Sequence, residues 1–566
     1  MNIKIKKIIE SCLQEIDLED EVISKTLSSV DFVEVQKTTS ESHGDYYSNI
    51  AMKLSKFLRK NPETIAKQIK AIILEKKYEQ IKNIEVKKPG FINFFIENSA
   101  RASIVTKIIK SKNIFDGFKS MNPKKIHLEF VSANPTGPLH VGHGRGLIYG
   151  KTLCSILRTQ GHDVHTEYYV NNIGKQIDIL SISVVLSLMN LKKPFNDVDI
   201  YNGKYISTIA SKLKIKYEDK LIPLKNDLTK KDSFSSFLEY IMVNLDSYLE
   251  LRNSVIDIII YEYIKIDLDE LDVVFSNWFL ESELIKNNFV YNILDKIKDK
   301  DLSYLKDGAI WFKSTKYGDD KDRVLVRANG ALTYFATDIA YHSIKLKKYD
   351  QIINVWGSDH HGYVPRLLNA LKGIGYDTTK ISIHLIQFAN LYRDGEKISM
   401  STRSGEFITL KSLIDEIGSD AINFFYIDKK IEQHLDFDIN TALSKDKDNP
   451  VYYIQYAHAR IEKIKSKIDL NKLDFDNAQL LESKEQALLR LLNSYEDTFR
   501  MAINTLQPQM ITNYLYKLSQ SFHSYYGNIK IIDDEINYSR VSLIIAIQKV
   551  LKDGLNLFNI NAPEDM

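Results

Sequence analysis

The chain has 566 residues, of which 44% are hydrophobic and 27% are charged. These proportions are typical of globular proteins and exclude a chain that is disordered through most of its length. The 76 basic and 74 acidic residues leave a formal charge of only +2, so any nucleic-acid surface must be a local basic patch.

The length predicts about three domains, and the small numbers of glycine (23) and proline (11) predict that helices dominate them. Cys12 and Cys154 are far apart and form no CxxC motif, so they can build neither a disulfide framework nor a thiolate zinc site. We find neither an N-terminal export signal nor an uncharged apolar run of about 18 residues. We therefore expect a cytoplasmic monomer that does not interact with membranes.

The first 115 residues combine amphipathic helices with a pair of strands. Residues 54–77 carry apolar side chains at helical spacing, and residues 83–97 form two strand-like runs that meet at Pro89 and Gly90. Residues 1–115 are therefore predicted to form a small α+β domain.

Residues 116–435 are predicted to form an α/β domain with a parallel sheet. Residues 126–132 (IHLEFVS) suit a buried parallel strand, and a helix is predicted from His140 toward Gln160. A strand, a glycine-containing turn and a helix form the opening unit of a Rossmann-like nucleotide site. Residues 175–295 are mainly helical in pattern and predict an insertion in this domain.

Two further buried strands are predicted at residues 351–359 and 381–388. From about residue 436 onward, nearly every segment has the spacing of a long amphipathic helix, so residues 436–566 are predicted to form an all-α bundle. The predicted fold is thus a Rossmann-like α/β domain between an N-terminal α+β domain and a C-terminal helical bundle.

The tetrapeptide His140-Val141-Gly142-His143 lies where the first strand passes into its helix. We expect free N–H groups at the helix N-terminus to attract phosphate oxygens, Gly142 and Gly144 to let the backbone approach a nucleotide, and the two imidazoles to share one face. Donors placed at the nonbridging oxygens stabilise the transition state when a carboxylate attacks the α-phosphate of ATP. The tetrapeptide alone could equally be an ordinary helix start.

A series of motifs in the same order resembles the arginyl-tRNA synthetase family of class I aminoacyl-tRNA synthetases. They are VSANPTGPLHVGHGRG (131–146), YYVNNIGKQI (168–177), VRANGALTYFATDIAYH (326–342), VWGSDHHGYVPRL (355–367), SMSTRSGEF (399–407), DNPVYYIQYAHARI (448–461) and APEDM (562–566). The resemblance spans the chain and implies ATP-dependent formation of arginyl-adenylate, followed by transfer of arginine to the terminal ribose of its tRNA. It also implies that activation requires bound tRNA.

Tyr334 and Asp338 are four residues apart and are expected on one helical face. A carboxylate can accept two parallel bonds from a guanidinium, and a nearby aromatic ring can pack against that cation. An ordinary buried Tyr and Asp would give the same pattern, and the resemblance favours arginine recognition. By resemblance, the other arginine-binding residues are Glu129, Ser132, Asn134 and His360, the last in place of the family's pocket glutamine.

The family's second ATP loop, usually written KMSKS, aligns with Ser399-Met400-Ser401-Thr402-Arg403, which contains no lysine. Because the triphosphate charge needs compensation, we assign catalysis to Arg403 together with His140 and His143, with Lys397 as the alternative to Arg403. Met400 and Ser401 are assigned to ATP binding. Magnesium is expected only with ATP as its substrate complex, and no tightly bound metal or organic cofactor is expected.

His360 and His361, with Asp359 beside them, could suggest a metal site, but no further ligand lies at a suitable spacing. Because these residues follow a predicted strand, contact with the nucleotide or substrate is the better interpretation. Asp359 and His361 are therefore assigned to ATP, and no metal ligands are predicted.

Residues 449–460 combine tyrosines with a glutamine, a histidine and an arginine, a composition suited to unpaired anticodon bases. Tyrosines at helical spacing also occur in ordinary cores. The predicted tRNA contacts are Tyr452, Gln455, Tyr456 and Arg460. Residues 43–56 resemble the family's tRNA-elbow-binding module, which would add Asp45 and Tyr46.

Other functions remain possible at this point. A cysteinyl-tRNA synthetase would need zinc-binding thiolates, and a small-molecule nucleotidylyltransferase would lack the helical C-terminal third. A noncatalytic tRNA-binding paralogue would explain the missing loop lysines, although His140, His143, Tyr334 and Asp338 argue against it. The prediction is an arginyl-tRNA synthetase whose partners are arginine, ATP and the tRNA for arginine.

Overall fold

The structure is a computed structural model that describes residues 2–16, 32–38, 41–192, 195, 197–398, 408–473, 480–532 and 536–566. The chain divides into two compact units. The first unit comprises Met1–Gly117, Tyr452–Asn556 and Asn561–Met566, and the second comprises Phe118–Val451 and Leu557–Ile560.

The N-terminal part of the first unit is an antiparallel sheet with helices, as the sequence predicts. Its strands, in the sheet order β1-β2-β4-β3, are β1 (Gln36–Lys37), β2 (Tyr46–Ser48), β3 (Ile81–Lys87) and β4 (Phe91–Ile96). Its helices are α1 (Asn2–Leu13), α2 (Ile50–Leu58), α3 (Pro62–Glu75) and α4 (Asn98–Lys110). Apolar side chains from both layers, among them Leu54, Ile69 and Phe94, form one buried core.

The described residues of the second unit form three sheets. Their strands are β5 (Lys125–Glu129), β6 (Asp163–Val170), β7 (Asn277–Leu280), β8 (Ser303–Lys306), β9 (Ala309–Phe312), β10 (Arg323–Val326), β11 (Gln351–Gly357), β12 (Ile381–Ile386), β13 (Ala389–Arg393), β14 (Glu396–Lys397) and β15 (Leu435–Asp438).

The largest sheet is parallel throughout, with the strand order β12-β11-β5-β6-β7. The strands β5, β11 and β12 confirm the positions of the three predicted strands; β5 and β11 are mainly buried as predicted, whereas β12, at the edge of the sheet, is mostly half-buried. In sequence, β6 follows β5 on one side, whereas β11 adjoins β5 on the other side, so the chain changes direction at β5. Parallel sheets bind their ligands outside the carboxyl ends of the strands at such a switch point. The fold therefore directs attention to the residues that follow these strands.

The described part of the second unit also contains helices, and those between residues 175 and 295 agree with the mainly helical pattern of that stretch. The helices of this unit are α5 (Val141–Thr159), α6 (Lys175–Leu188), α7 (Lys204–Leu221), α8 (Lys225–Thr229), α9 (Phe234–Asn244), α10 (Tyr248–Ile259), α11 (Lys265–Asp269), α12 (Glu281–Lys286), α13 (Phe289–Asp299), α14 (Tyr334–Lys348), α15 (Val364–Ile374), α16 (Leu410–Ile417), α17 (Ser419–Phe425) and α18 (Ile439–Leu443). A π-helical turn, Ile260–Ile264, joins α10 to α11.

Short strands account for the main differences from the predicted pattern. The strand β7 lies inside the stretch predicted as helical, β8 to β10 form a separate antiparallel sheet, and β15 lies where the helical bundle was expected to begin. Each has only four residues, which is too short for an alternating pattern to be distinguished from a helical one.

The C-terminal part of the chain is helical, as predicted. Its helices are α19 (Pro450–Lys465), α20 (Ser483–Leu492), α21 (Tyr495–Asn504), α22 (Gln509–Tyr526) and α23 (Tyr538–Asn556). Across the described parts of the chain, none of the helices combines the length and the apolar composition that crossing a membrane would require.

Candidate active site

The helix α5 begins at the motif that the sequence analysis singled out. His140 is its N-cap, and His140 Nδ1 accepts a hydrogen bond from the Gly142 N–H at 3.1 Å. His143 Nδ1 in turn accepts from the His140 N–H at 3.3 Å. The two imidazole rings stack with their centroids 3.7 Å apart, so the predicted shared face is confirmed.

These hydrogen bonds also determine which ring nitrogen carries the proton. Burial lowers the pKa of both imidazoles, that of His143 to about 3, so both rings are neutral at pH 7. Since each Nδ1 accepts a hydrogen bond, the proton of each neutral ring must reside on Nε2. The pair therefore presents two N–H donors to an oxygen ligand.

The expectation that the helix N-terminus offers free amides is wrong. Gly142 N–H bonds to His140 Nδ1, Val141 N–H bonds to the Ile408 carbonyl at 3.3 Å, and His143 N–H bonds to the His140 carbonyl at 2.9 Å. The first-turn amides are occupied because the histidine ring and a second chain segment already cap the helix. The proposed phosphate donors at this position are consequently the imidazoles and not the backbone amides.

Tight packing explains both motif glycines. A Cβ on Gly142 would lie 2.9 Å from the His140 ring, and one on Gly144 would lie 2.8 Å from the ring of Tyr426. The Tyr426 hydroxyl also donates to the Val141 carbonyl at 2.8 Å. The glycines therefore let side chains reach the start of α5, and their contact with ATP stays a prediction.

The turn between β5 and α5 is strained at its beginning. Val131 and Ser132 have φ angles of 65° and 43°, a region that non-glycine and especially β-branched residues rarely adopt. This conformation aims the Ser132 hydroxyl back at the strand ends, where it donates to Glu129 at 3.3 Å and accepts from the Tyr169 N–H at 3.1 Å. Asn134, farther along the turn, is exposed and donates to Gln176 at 2.7 Å.

Glu129, at the carboxyl end of β5, is 5% exposed and forms an ion pair with the buried Lys345. Burial raises the pKa of Glu129, but the pairing with Lys345 outweighs burial, so the pKa lies below its usual value. The Lys345 ammonium also lies 3.8 Å from the centre of the Tyr341 ring. This part of the site is thus already charge-compensated.

A second pair of carboxyl groups carries no such compensation. Glu281 follows β7 directly and is 3% exposed, and Asp338 lies on α14. Burial raises the pKa of each to about 7, and their mutual repulsion contributes to the shift of Glu281. Among the described residues, neither carboxyl group takes part in an ion pair. Two neighbouring acids without a cation suit a guanidinium, which can bond two carboxylates at once.

Neutral hydroxyl groups orient this acidic pair. Tyr363 donates to Asp338 Oδ2, Thr337 donates to Glu281 Oε1 at 3.3 Å, and Tyr169 is hydrogen-bonded to Glu281. Sequence analysis missed Glu281, Tyr169 and Tyr363. The only signal for Glu281 was a charged residue after a short apolar run, NWFL, inside a stretch with a helical pattern.

The remaining predicted arginine and ATP residues lie nearer the surface. Tyr334 is 64% exposed, and its hydroxyl lies 3.3 Å from the side-chain amide of Asn171. Asp359, His360 and His361 are exposed at the carboxyl end of β11, with the His360 ring 5.6 Å from that of Trp356. The predicted helical spacing of Tyr334 and Asp338 is confirmed, whereas only Asp338 is enclosed.

The chain segment that leaves the predicted second ATP loop is held close to His140. On the exit side, the Leu410 N–H bonds to the Leu139 carbonyl at 2.8 Å, and His140 pairs with Thr409 as an isolated bridge. On the entry side, Lys397 is exposed at the end of β14. The predicted loop residues Met400, Ser401 and Arg403 lie outside the described residues.

Arg145 fixes α5 to the sheet that leads into this loop. The guanidinium is 1% exposed and donates to the carbonyls of Gln387 (2.8 Å), Gln433 (2.6 Å) and Lys430 (2.8 Å). Gln387 precedes β13 and Gln433 precedes β15, and these two strands pair in parallel. One buried side chain thereby sets the position of two strands relative to the histidines.

The predicted anticodon residues form an aromatic cluster in the first unit. The Arg460 guanidinium lies between the rings of Tyr456 and Tyr526, 4.4 and 4.9 Å from their centres. These three side chains line a cavity of about 310 Å³ together with Lys463, Lys467 and the C-terminal Met566. Cations and ring faces in one cavity suit an unpaired base next to a phosphate.

The other predicted RNA residues are buried, except for the half-exposed Tyr452. Gln455 donates to the Asn561 carbonyl at 2.9 Å, and the ring of Tyr452 stacks with that of Tyr456. Asp45 and Tyr46 are only 8% and 3% exposed, and Asp45 accepts two bonds from Arg101 at 2.9 and 2.8 Å. Contact of these residues with RNA stays a prediction.

No group of three or more His, Cys, Asp or Glu residues in the described ranges has the geometry of a metal site.

Three family models match successive parts of the chain. Residues 4–96 match the arginyl tRNA synthetase N terminal domain, residues 104–443 match the catalytic domain of tRNA synthetases class I (R), and residues 454–566 match the DALR anticodon binding domain.

Curated relatives match almost the whole chain. The arginine–tRNA ligase of Thioalkalivibrio sulfidiphilus is 40% identical over 94% of this chain and 95% of its own length. That of Vesicomyosocius okutanii is 41% identical with the same coverage of both chains. The solved arginyl-tRNA synthetase of Thermus thermophilus superposes over 100% of both chains with a TM-score of 0.73 at 20% identity, which concerns the fold alone. The chain belongs to the arginyl-tRNA synthetase family of class I, whose members are arginine–tRNA ligases.

Proposed function

We propose that the second unit activates arginine with ATP and that the enzyme then transfers arginine to the 3′-terminal ribose of its tRNA. In the first step the carboxylate of arginine attacks the α-phosphorus of ATP and pyrophosphate leaves. In the second step a ribose hydroxyl attacks the carbonyl carbon of the adenylate and AMP leaves. The observation that carries the proposal is the pair formed by the buried Glu281 and the half-buried Asp338 at the carboxyl edge of the parallel sheet, neither of which takes part in an ion pair among the described residues.

The acidic pair is proposed to select the side chain of arginine. A guanidinium placed between Glu281 and Asp338 would ionise both carboxyl groups and satisfy them with parallel N–H bonds. Lysine carries the same charge on a single point and cannot bridge the two acids in this way. Tyr334 is proposed to cover the cation from the outer side.

The backbone groups of arginine are proposed to lie at the carboxyl end of β5. Glu129, Ser132 and Asn134 follow one another on the approach to α5, so they can reach the ammonium and carboxylate of one amino acid. His360 is proposed to border the same site. The hydroxyl bonds of Ser132 to Glu129 and to the Tyr169 N–H support a pre-arranged position for this group.

ATP, entering with Mg²⁺, is proposed to bind along the start of α5. The Nε2–H groups of His140 and His143 would donate to the phosphate oxygens on which charge gathers in the transition state, and a single donor of this kind is worth about 3 kcal/mol. Gly142, Gly144, Asp359 and His361, together with Met400 and Ser401, complete the proposed ATP site. Arg403 is proposed to supply the missing loop charge, with Lys397 as the alternative.

The rest of the chain is proposed to bind the tRNA. Residues 436–566 would read the anticodon through Tyr452, Gln455, Tyr456 and Arg460, which is supported by the cation between two rings. Residues 1–115, with Asp45 and Tyr46, would bind the tRNA elbow, and residues 116–435 would form the catalytic domain. We infer a monomer in a reducing cytoplasm, in keeping with two buried free cysteines.

The test is arginine-dependent exchange of pyrophosphate into ATP by the purified chain, with and without the tRNA for arginine. We expect exchange only when arginine and tRNA are both present, and lysine should not replace arginine. Exchange that proceeds without tRNA, or that requires a different amino acid, contradicts the proposal. Loss of exchange in a His143→Ala variant that keeps its melting temperature would support the imidazole role.

A further inference from the structure

A cleft of about 710 Å³ lies between the N-terminal sheet and the C-terminal helices within the first unit. Lys37 and Thr38 line it from the end of β1, Arg490 lines it from α20, and Asn513 and Lys517 line it from α22. We propose that this cleft, here called the basic cleft, binds a phosphate group of the tRNA backbone. The inference rests on the proposed function and adds a binding site to it.

The charges around the basic cleft favour an anion. Asp45, the acid in its lining, is already committed, because it accepts two bonds from Arg101 and one from the Ile96 N–H at 2.9 Å. Arg490 also lies 3.6 Å from Asp45. Among the described residues, neither Lys37 nor Lys517 forms an ion pair. The cleft therefore retains positive charge after its internal pairing.

Lys37 is partly buried, in an environment that disfavours the charged form of its ammonium group. Its Nζ donates to the Arg490 carbonyl at 2.6 Å. Burial lowers the pKa of Lys37 to about 8; Asp45 and Asp497 act in the opposite direction, and Lys517 and Arg490 lower the pKa further. A half-buried cation that has two other cations nearby as well as these acids gains from an added anion.

The lining predicts contact with phosphate and not with a base. Asn513 and Lys517 are exposed, four residues apart on α22, and face the cleft together. The one aromatic ring in the lining, that of Tyr514, is buried, and its hydroxyl is committed to the Leu491 carbonyl at 2.9 Å. Phosphate contacts of this kind set the position of a nucleic acid without reading its sequence.

The test uses the full chain and filter binding of a transcript of the tRNA for arginine at several salt concentrations. Lys517 is exposed, so Lys517→Ala should leave folding intact. We expect its affinity for tRNA to fall about five-fold and that of Lys517→Glu about twenty-fold, with the salt slope reduced by about one. A noncognate tRNA should lose affinity by the same factors, and kcat at saturating tRNA should not change.

The matched control is Lys67→Ala, which removes an exposed lysine of α3 from the same unit, outside the lining of the cleft. Equal losses in both variants, or wild-type affinity in Lys517→Glu, would overturn the proposal. If wild-type enzyme binds tRNA but does not charge it, the proposed function fails while the cleft is still tested by binding. A parallel titration with inorganic phosphate distinguishes tRNA from free phosphate as the ligand. If the Lys517 variants lose affinity for inorganic phosphate but keep their affinity for tRNA, the RNA assignment is overturned.

Discussion

At the residue scale, two carboxyl groups that form no ion pair among the described residues are the proposed basis of arginine specificity. Glu281 and Asp338 come from distant parts of the chain and share one buried environment, where burial raises the pKa of each to about 7. A protein tolerates this arrangement at a cost in stability, since the charged forms are disfavoured until a partner arrives. The substrate cation is the partner that the arrangement fits.

Replacing either acid by its amide should impair arginine binding selectively. Glu281→Gln and Asp338→Asn keep the size of the side chain and remove the charge, so each should raise the KM for arginine about 100-fold, in line with about 3 kcal/mol for a charge-assisted bond. The KM for ATP should change less than two-fold. The control is Glu283→Gln on the same helix, which should behave as wild type; equal effects on both substrates would contradict the assignment.

Arginine affinity should rise with pH through neutrality. With a pKa of about 7, the two carboxyl groups are mostly protonated at pH 6 and mostly ionised at pH 8, and only the ionised form pairs with the guanidinium. Calorimetry should show about ten-fold tighter binding at pH 7 than at pH 6 and proton release on binding, and Glu281→Gln should flatten this dependence. Affinity that falls with pH would refute the model of the site.

The same protons link the site to stability. The usual pKa values of Asp and Glu in an unfolded chain, 3.8 and 4.5, lie well below 7. The folded enzyme without arginine therefore holds protons that the unfolded chain has lost. Its free energy of unfolding should consequently decrease as the pH rises from about 4 through 7.

At the scale of elements, α5 determines where the histidines stand. The helix crosses the sheet closely because Gly150 lies against Phe130: a Cβ at this position would come within 2.2 Å of the phenyl ring. Arg145 on the same helix holds the strands that lead to the second ATP loop. Packing on one helix thus positions both parts of the proposed ATP site.

Two glycines of α5 provide a matched test of this packing. Gly150→Ala should destabilise the second unit by about 2 kcal/mol, because the methyl group overpacks the contact with Phe130. Gly146→Ala meets no heavy atom within 4 Å and should stabilise the helix by up to about 1 kcal/mol. Urea unfolding followed by tryptophan fluorescence gives both values, and a neutral Gly150→Ala would show that α5 can move away from the sheet.

At the scale of the whole molecule, the first unit is built from both ends of the chain. Arg101 on α4 pairs with Asp45 and also donates to Gln486 of α20, and Asn493 donates to the Arg101 carbonyl at 2.9 Å. A single buried arginine therefore joins the N-terminal sheet to the C-terminal bundle.

Removing this arginine should loosen the first unit and leave the second unit unaffected. Arg101→Met leaves the buried Asp45 carboxylate with only its longer pairing to Arg490, 3.6 Å away, which costs up to about 3 kcal/mol. Hydrogen exchange should accelerate in residues 45–96 and 486–493, whereas residues 125–170 keep their protection. Lys107→Met is the control, because its ion pair with Glu496 is largely exposed and should contribute less than about 1 kcal/mol.

The amino-acid sequence by itself determined the features that depend on near neighbours. The buried strands, the helix that starts at His140, the helical C-terminal part and the ordered motifs of the family are all encoded in short segments, because hydrophobic spacing and turn residues act over a few positions. The tertiary structure alone decided which distant groups meet. The strand β7 brings Glu281 close enough to Asp338 for the two charges to repel each other. The Ile408 carbonyl accepts a hydrogen bond from the Val141 N–H of α5, and Arg101 forms an ion pair with Asp45. Each of these pairings joins residues that are far apart in the chain, and local periodicity carries no information about such contacts.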